Sequence, residues 1–217
     1  MTDTEQAKRT ARSLAIARRD AMPLEVREQK SAWICEQLAA ALDQLLVKNL
    51  VSSHPSAGNS LRPSATVAAY AAMRSEADPS AFARYAEENG CIVAYPCMLD
   101  PQKSAASSQR MCMRAVRQQD LGDAPFIAHP ARPFADEMID GERFPIVPAC
   151  DIDLIVVPVV AFDERNMRLG YGGGCYDRYL PTLRADCQIV GIAFDEQRFA
   201  AVPTDPHDLA LPRIIFA

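Results

Sequence analysis

From Thr66 to Tyr95 the chain reads TVAAYAAMRSEADPSAFARYAEENGCIVAY. The apolar run Thr66–Ala72 predicts a strand, Pro79–Asn89 a helix ended by Gly90, and Cys91–Tyr95 a second strand. Strand, helix and strand within so short a span form a crossover unit, which joins parallel neighbours of one sheet. Downstream, Asp153–Val157 is the clearest strand, because Leu, Ile and Val run together as in a sheet buried on both faces. Met111–Val116 and Gln188–Phe194 add two more strands, and Tyr176–Leu183 a helix. Upstream, Thr4–Ala21 contains neither Gly nor Pro and predicts a helix. A second helix starts at Pro23, with Trp33, Ile34, Leu38, Ala41, Leu42 and Leu45 at helical spacing. Residues 49–65 and 100–110 are polar and predict surface loops. Leu121–Pro148 holds five of the sixteen prolines and predicts an extended surface wrap. No repeat and no linker interrupts 1–217, so the expectation is one α/β sandwich.

The composition sets outer bounds. Of 217 residues, 49% are hydrophobic and 24% charged, an ordinary balance for a chain with a full core, and the net charge is −5. That sign argues against non-specific binding to nucleic acid or a membrane surface. The longest apolar run, Leu154–Phe162, is too short to span a bilayer. Seven cysteines are scattered with no C-x-x-C pair, which disfavours a disulfide framework or structural zinc and fits a reducing cytoplasm. Lys8–Arg19 is arginine-rich like a transit peptide, but Asp3, Glu5 and Asp20 argue against one.

Four of the nine glycines sit at 170, 172, 173 and 174, within RLGYGGGCYDRYL, residues 168–180. The segment lies between the buried strand and a helix. Glycines there let backbone N–H groups approach a phosphate, and the helix start adds a favourable dipole. Arg168 supplies a cation and Asp177 a carboxylate suited to a metal; the competing reading is a plain turn with Asp177 as a helix cap. No Lys-Ser/Thr pair ends the segment, so it is not a Walker A loop, and Cys175 stands where a dinucleotide fingerprint needs glycine. Lys8, Arg12 and Arg19 fall within about 40° on a helical wheel. They read as a cationic stripe for a triphosphate or as a solvated helix face.

The run 168–180 resembles the signature of the 5-formyltetrahydrofolate cyclo-ligase family, also called methenyltetrahydrofolate synthetases. Lys8-x-x-x-Arg12, Met73-x-x-Glu76, Asp153-Leu-Ile through Phe162-Asp163, and Gly191-x-Ala-Phe-x-x-Gln197 on to Val202-Pro203 and Asp208 agree in order and spacing. Two departures are Cys175, where a tyrosine is usual, and Val159-Val160-Ala161, where the family tends to glycine. The resemblance implies a three-layer α/β/α sandwich with a mostly parallel sheet, similar to the sugar-phosphate isomerase and CoA-transferase-like folds. It implies cyclisation of 5-formyltetrahydrofolate to 5,10-methenyltetrahydrofolate, with ATP and Mg2+ required and ADP and phosphate released. By the same resemblance ATP would meet Lys8, Arg12, Arg168, Leu169, Gly170, Tyr171, Gly172, Gly173, Gly174, Cys175 and Tyr176, with Arg168 catalytic. Folate would meet Ala71, Glu76, Tyr171, Gly172, Gly173, Gly174 and Cys175, and Asp177 and Asp208 would hold magnesium. The expected partner is a small molecule, the expected assembly a monomer or weak dimer, and the alternative a folate- or nucleotide-binding protein without turnover. Cys175 itself is expected to be an idle thiol.

Overall fold

Two helices lead the chain: α1 (Asp3–Asp20) and α2 (Leu24–Ser52). The computed structural model describes residues 3–52, 64–100, 111–205 and 208–217. Then come β1 (Thr66–Ala68), α3 (Ser80–Glu88), β2 (Ile92–Met98), β3 (Met111–Ala115), α4 (Pro125–Ala128) and β4 (Ile146–Val147). The chain continues through β5 (Leu154–Pro158), β6 (Ala161–Phe162), β7 (Arg168–Leu169), α5 (Cys175–Tyr179), β8 (Gln188–Ala193) and β9 (Arg213–Phe216). Seven strands form one sheet in the order β4-β3-β2-β1-β5-β8-β9. The pairs β2·β1, β1·β5, β5·β8 and β8·β9 are parallel, while β3 and β4 add an antiparallel edge. The predicted crossover is therefore present, with Val67 opposite Val93 on one side and Leu154 on the other.

Period-two alternation explains why β5 is apolar throughout. Leu154 and Val156 join the cluster that α2 and α3 cover with Ile34, Leu38, Leu42, Phe82 and Ala86. Ile155 and Val157 face the opposite layer, where Tyr179, Leu180 and Leu211 close the second cluster. Both faces are covered, as the parallel arrangement requires. This is the expected mostly parallel sandwich.

Three expectations need correction. The loop predicted for 49–65 starts later, because α2 runs on through Ser52, and Ala65 at its far end is buried. Residues 53–63, like 101–110 of the other predicted loop, lie outside the described residues. Leu121–Pro148 is not an extended wrap. It folds into short helical turns, with Pro125 in the first turn of α4, and it buries Phe126, Phe134 and Phe144 in the main core. Phe126 and Phe144 meet edge to face, with ring centroids 5.8 Å apart. Finally, the stretch after β5 is not all loop, because β6 and β7 form an antiparallel hairpin pairing Ala161 with Leu169 and Phe162 with Arg168.

Candidate active site

The hairpin presents the glycine turn, and Asp163 holds the hairpin. Its carboxylate is buried and accepts from the backbone N–H of Arg165 (2.9 Å), Met167 (3.2 Å) and Val202 (3.2 Å), and from the Arg165 guanidinium (2.9 Å). Burial works to raise its pKa, but these donors outweigh burial and hold it below the ordinary carboxylate value. Asn166 completes the turn in the left-handed region, at φ 58°. Asp163→Asn replaces an acceptor-only group by one with an NH2 facing donors, and should cost about 2–4 kcal/mol of stability, read as a lower melting temperature. Because the folded pKa is depressed, Asp163's contribution is complete above its unfolded value. It is lost as pH falls through the lower folded one.

Against this hairpin lies α1. Ala11 and Ala15 pack with Val160, Ala161, Leu169 and Val202, so the small residues of the helix face the protein body. The same face carries the predicted cations, which makes the solvated-face reading of the stripe wrong for two of them. Lys8 is only 7% exposed and Arg19 1%. Lys8 Nζ donates to Asp205 (2.7 Å) and to Asp208. Burial alone would lower the Lys8 pKa, but the two carboxylates hold it above the ordinary lysine value. Arg12 donates from Nε to the Gly170 carbonyl at 2.7 Å, and its guanidinium lies over Gly172.

Gly172 and Gly174 have φ of +100° and +61°, conformations that a side chain would strain. Gly174 then caps α5, whose first residue is Cys175. The turn is faced by a second guanidinium that sequence reasoning passed over, Arg178, which donates to the Gly173 carbonyl. The only hint was its place four residues beyond Gly174, one helical turn into α5. Leu169 is buried in the hairpin core, and its carbonyl accepts from the Val160 N–H. Cys175 is half-buried, with Sγ 3.9 Å from the Gly173 carbonyl.

Arg168 is not a loop arginine. It is a β7 residue, 8% exposed, that donates to the Leu209 carbonyl (2.9 Å) and to Asp177 Oδ1 (2.6 Å). Of the two predicted metal ligands, Arg168 thus touches Asp177 directly and, for Asp208, only the backbone of the next residue, Leu209. Both carboxylates are ion-paired, one to Arg168 and one to Lys8. Among the described residues no three acidic, His or Cys side chains converge on a metal position.

On the other side of the turn, Tyr171 comes to the residues expected to meet folate. Its hydroxyl accepts from Arg19 (3.1 Å) and lies near the Glu76 carboxylate. Glu76 is buried, and its Oε2 accepts from the Met73 N–H at 2.7 Å. Burial raises the Glu76 pKa, opposed by the Met73 N–H, the nearby Tyr171 hydroxyl and the Arg19 charge. Ala71 is half-buried in the segment between β1 and Glu76. Tyr176 brings a buried hydroxyl that has no hydrogen-bond partner among the described residues. Glu76 also walls a cavity of about 350 Å3, shared with Ala72 and Asp78 and with Arg27, Ser31 and Cys35 of α2. That wall was missed, although 27, 31 and 35 share one helix face by their spacing of four.

Fold and site together define an open α/β protein with a cation-faced glycine turn and a cavity walled by Glu76. The 5-formyltetrahydrofolate cyclo-ligase family profile matches residues 4–217. The chain belongs to that family. A curated relative of this name from Escherichia coli is 39% identical over 71 residues, covering 32% of this chain and 39% of the relative. One from Mycoplasma genitalium is 43% identical over 65 residues, 30% of this chain and 39% of the relative. Over these matches the chain spans about two fifths of the curated relatives' length. The solved structure of a 5,10-methenyltetrahydrofolate synthetase from Mycoplasma pneumoniae shares the fold, with a TM-score of 0.62 at 20% identity over 99% of this chain and 98% of that one.

Proposed function

We propose that this protein is an ATP-dependent enzyme that closes 5-formyltetrahydrofolate to 5,10-methenyltetrahydrofolate. One observation carries the reading: Arg19 bonds both to Tyr171, inside the glycine turn, and to Ser75, the residue before Glu76, and so brings the turn and Glu76 together. A phosphate held by the turn and a pterin held by Glu76 would therefore be close neighbours. The formyl oxygen attacks the terminal phosphorus of ATP, and the bond to ADP breaks. The neighbouring folate nitrogen then attacks the formyl carbon and loses its proton to water, and phosphate leaves with the electrons of the C–O bond. Such chemistry asks for positioning and charge neutralisation rather than a protein nucleophile. Arg12 and Arg178 supply positive charge at the turn. Arg168 stabilises charge on the transferring group, and the buried Tyr176 hydroxyl, unpartnered among the described residues, has hydrogen-bonding capacity to spare.

The donors also suit magnesium, which prefers hard oxygen ligands and takes one or two carboxylates alongside phosphate oxygens and water. Asp177 and Asp208 would hold it, each exchanging a cationic partner for the ion. Bound there, the ion supplies neutralisation of phosphate charge. Seven free thiols and the absence, among the described residues, of any helix long and apolar enough to cross a membrane go with our placing the reaction in the cytoplasm.

Protein mixed with ATP, magnesium and 5-formyltetrahydrofolate should give the absorbance of the methenyl product, with one ADP and one phosphate per turnover. Nucleotide binding without phosphate release would make it a binding protein instead. Asp177→Asn and Asp208→Asn should each raise the magnesium concentration needed for half-maximal rate by roughly tenfold, in line with the loss of one ligand. Unchanged metal dependence in both would leave them as the partners of Arg168 and Lys8.

A further inference from the structure

Arg19 is the most deeply buried cation of α1, yet among the described residues its side-chain hydrogen-bond partners are two hydroxyls and no carboxylate. Nε donates to Ser75 Oγ at 2.9 Å, and Nη2 to the Tyr171 hydroxyl at 3.1 Å. The charge is passed on through them. Ser75 donates to Asp20 and directly precedes Glu76, while the Tyr171 hydroxyl lies near the Glu76 carboxylate. A buried guanidinium needs matching negative charge, and here Asp20 and Glu76 stand close by to supply it. The relay joins three elements: α1, the segment after β1, and the glycine turn.

We propose that Arg19 is a positioning residue that, through Tyr171 and Ser75, fixes the Glu76 carboxylate for the pterin ring of the folate. The inference rests on the reading of Glu76 as the pterin anchor. It replaces the expectation that Arg19 extends the phosphate stripe, since the guanidinium points inward to Ser75. Glu76 spends one acceptor site on Met73 N–H, and a carboxylate accepts about four hydrogen bonds, so sites remain for ring N–H donors. Other ionisable groups face the same space. Tyr70 comes from the end of β1, Tyr176 from α5, and Asp78 from the segment before α3. Arg27 and Glu28 stand across the cavity on α2, with Arg74 at its rim. Of these cations, Arg19 is the one whose charge acts to keep Glu76 ionised.

The experiment compares wild type with Arg19→Gln, Arg19→Lys, Tyr171→Phe and the exposed control Arg18→Gln. Two quantities are read: the pH dependence of 5-formyltetrahydrofolate affinity without ATP, and the Glu76 carboxyl titration by 13C NMR in ligand-free protein. In Arg19→Gln the Glu76 carboxyl should titrate at higher pH, by roughly half a unit or more, because a neighbouring cation is gone. Folate affinity should then begin to fall at correspondingly higher pH on acidification. The folate KM should rise at least about tenfold while kcat changes less than about threefold. Arg19→Lys should restore the acid limb, Tyr171→Phe should shift it in the same direction as Arg19→Gln, and Arg18→Gln should leave it unmoved. An unchanged Glu76 titration in Arg19→Gln overturns the proposal, as does a fall in ATP affinity in place of folate affinity. If the wild type binds no 5-formyltetrahydrofolate, the substrate reading fails instead, and the carboxyl titration alone then decides the role of Arg19.

Discussion

Arg168→Ala is expected to lower kcat/KM by about 30- to 900-fold, which corresponds to roughly 2–4 kcal/mol of lost electrostatic stabilisation. The buried position adds a second effect. The Leu209 carbonyl and Asp177 both lose their donor, so the melting temperature should fall as well. Arg168→Lys separates the two effects, because lysine keeps the charge but not the fork that serves two acceptors at once. Kinetics measured well below each variant's melting temperature are decisive. Wild-type turnover in a folded Arg168→Ala protein would remove Arg168 from the chemistry and leave it a strut between β7, α5 and the 209 segment.

Glu76→Gln should weaken 5-formyltetrahydrofolate by roughly 10- to 150-fold, the worth of a hydrogen bond to a charged group, with ATP affinity little changed. Glutamine matches the shape and keeps an acceptor for Met73 N–H, so the fold should survive. The wild type should itself lose folate affinity on acidification. Burial raises the Glu76 pKa, so the binding carboxylate is present above that raised value and disappears as pH falls through it. In Glu76→Gln this acid limb should vanish. A persistent limb, or an unchanged folate KM, would point to a different anchor.

What the amino-acid pattern revealed was set by how locally each feature is encoded. The crossover from Thr66 and the buried strand at 154–158 were legible because apolar runs between turn residues carry their own signal. β1 is nevertheless shorter than its apolar run, since pairing with β2 and β5 ends at Ala68. Leu121–Pro148 misled because its prolines were read as extension. Phe126, Phe134 and Phe144 decide its path, and Pro125 opens a helical turn. The β6–β7 hairpin has two residues per strand, too few for any periodicity, and only Asp163 and Asn166 marked its turn. In the site, the glycine turn was visible, while the bond from Arg12 to the Gly170 carbonyl and its guanidinium over Gly172 came from the fold. Lys8, Arg19 and Arg168 were recognisable as cations, but their burial and partners depend on residues far along the chain.

That distance has a consequence for the order of events during synthesis. Lys8 is paired with Asp205 and Asp208, separations of 197 and 200 residues. At about 5–20 residues per second, Lys8 is added to the chain some 10–40 s before its counter-charges are. Until the hairpin arrives, Ala11 and Ala15 have no surface to pack on, and an isolated helix of eighteen residues is marginal in water. The sheet from β1 to β5 can gather while α1 is still loose. The proposed phosphate face, built from residues some 200 apart, is among the last parts of the molecule to form, so a nascent chain stalled before Asp205 should hold much of the sheet while Lys8 is still without Asp205 and Asp208.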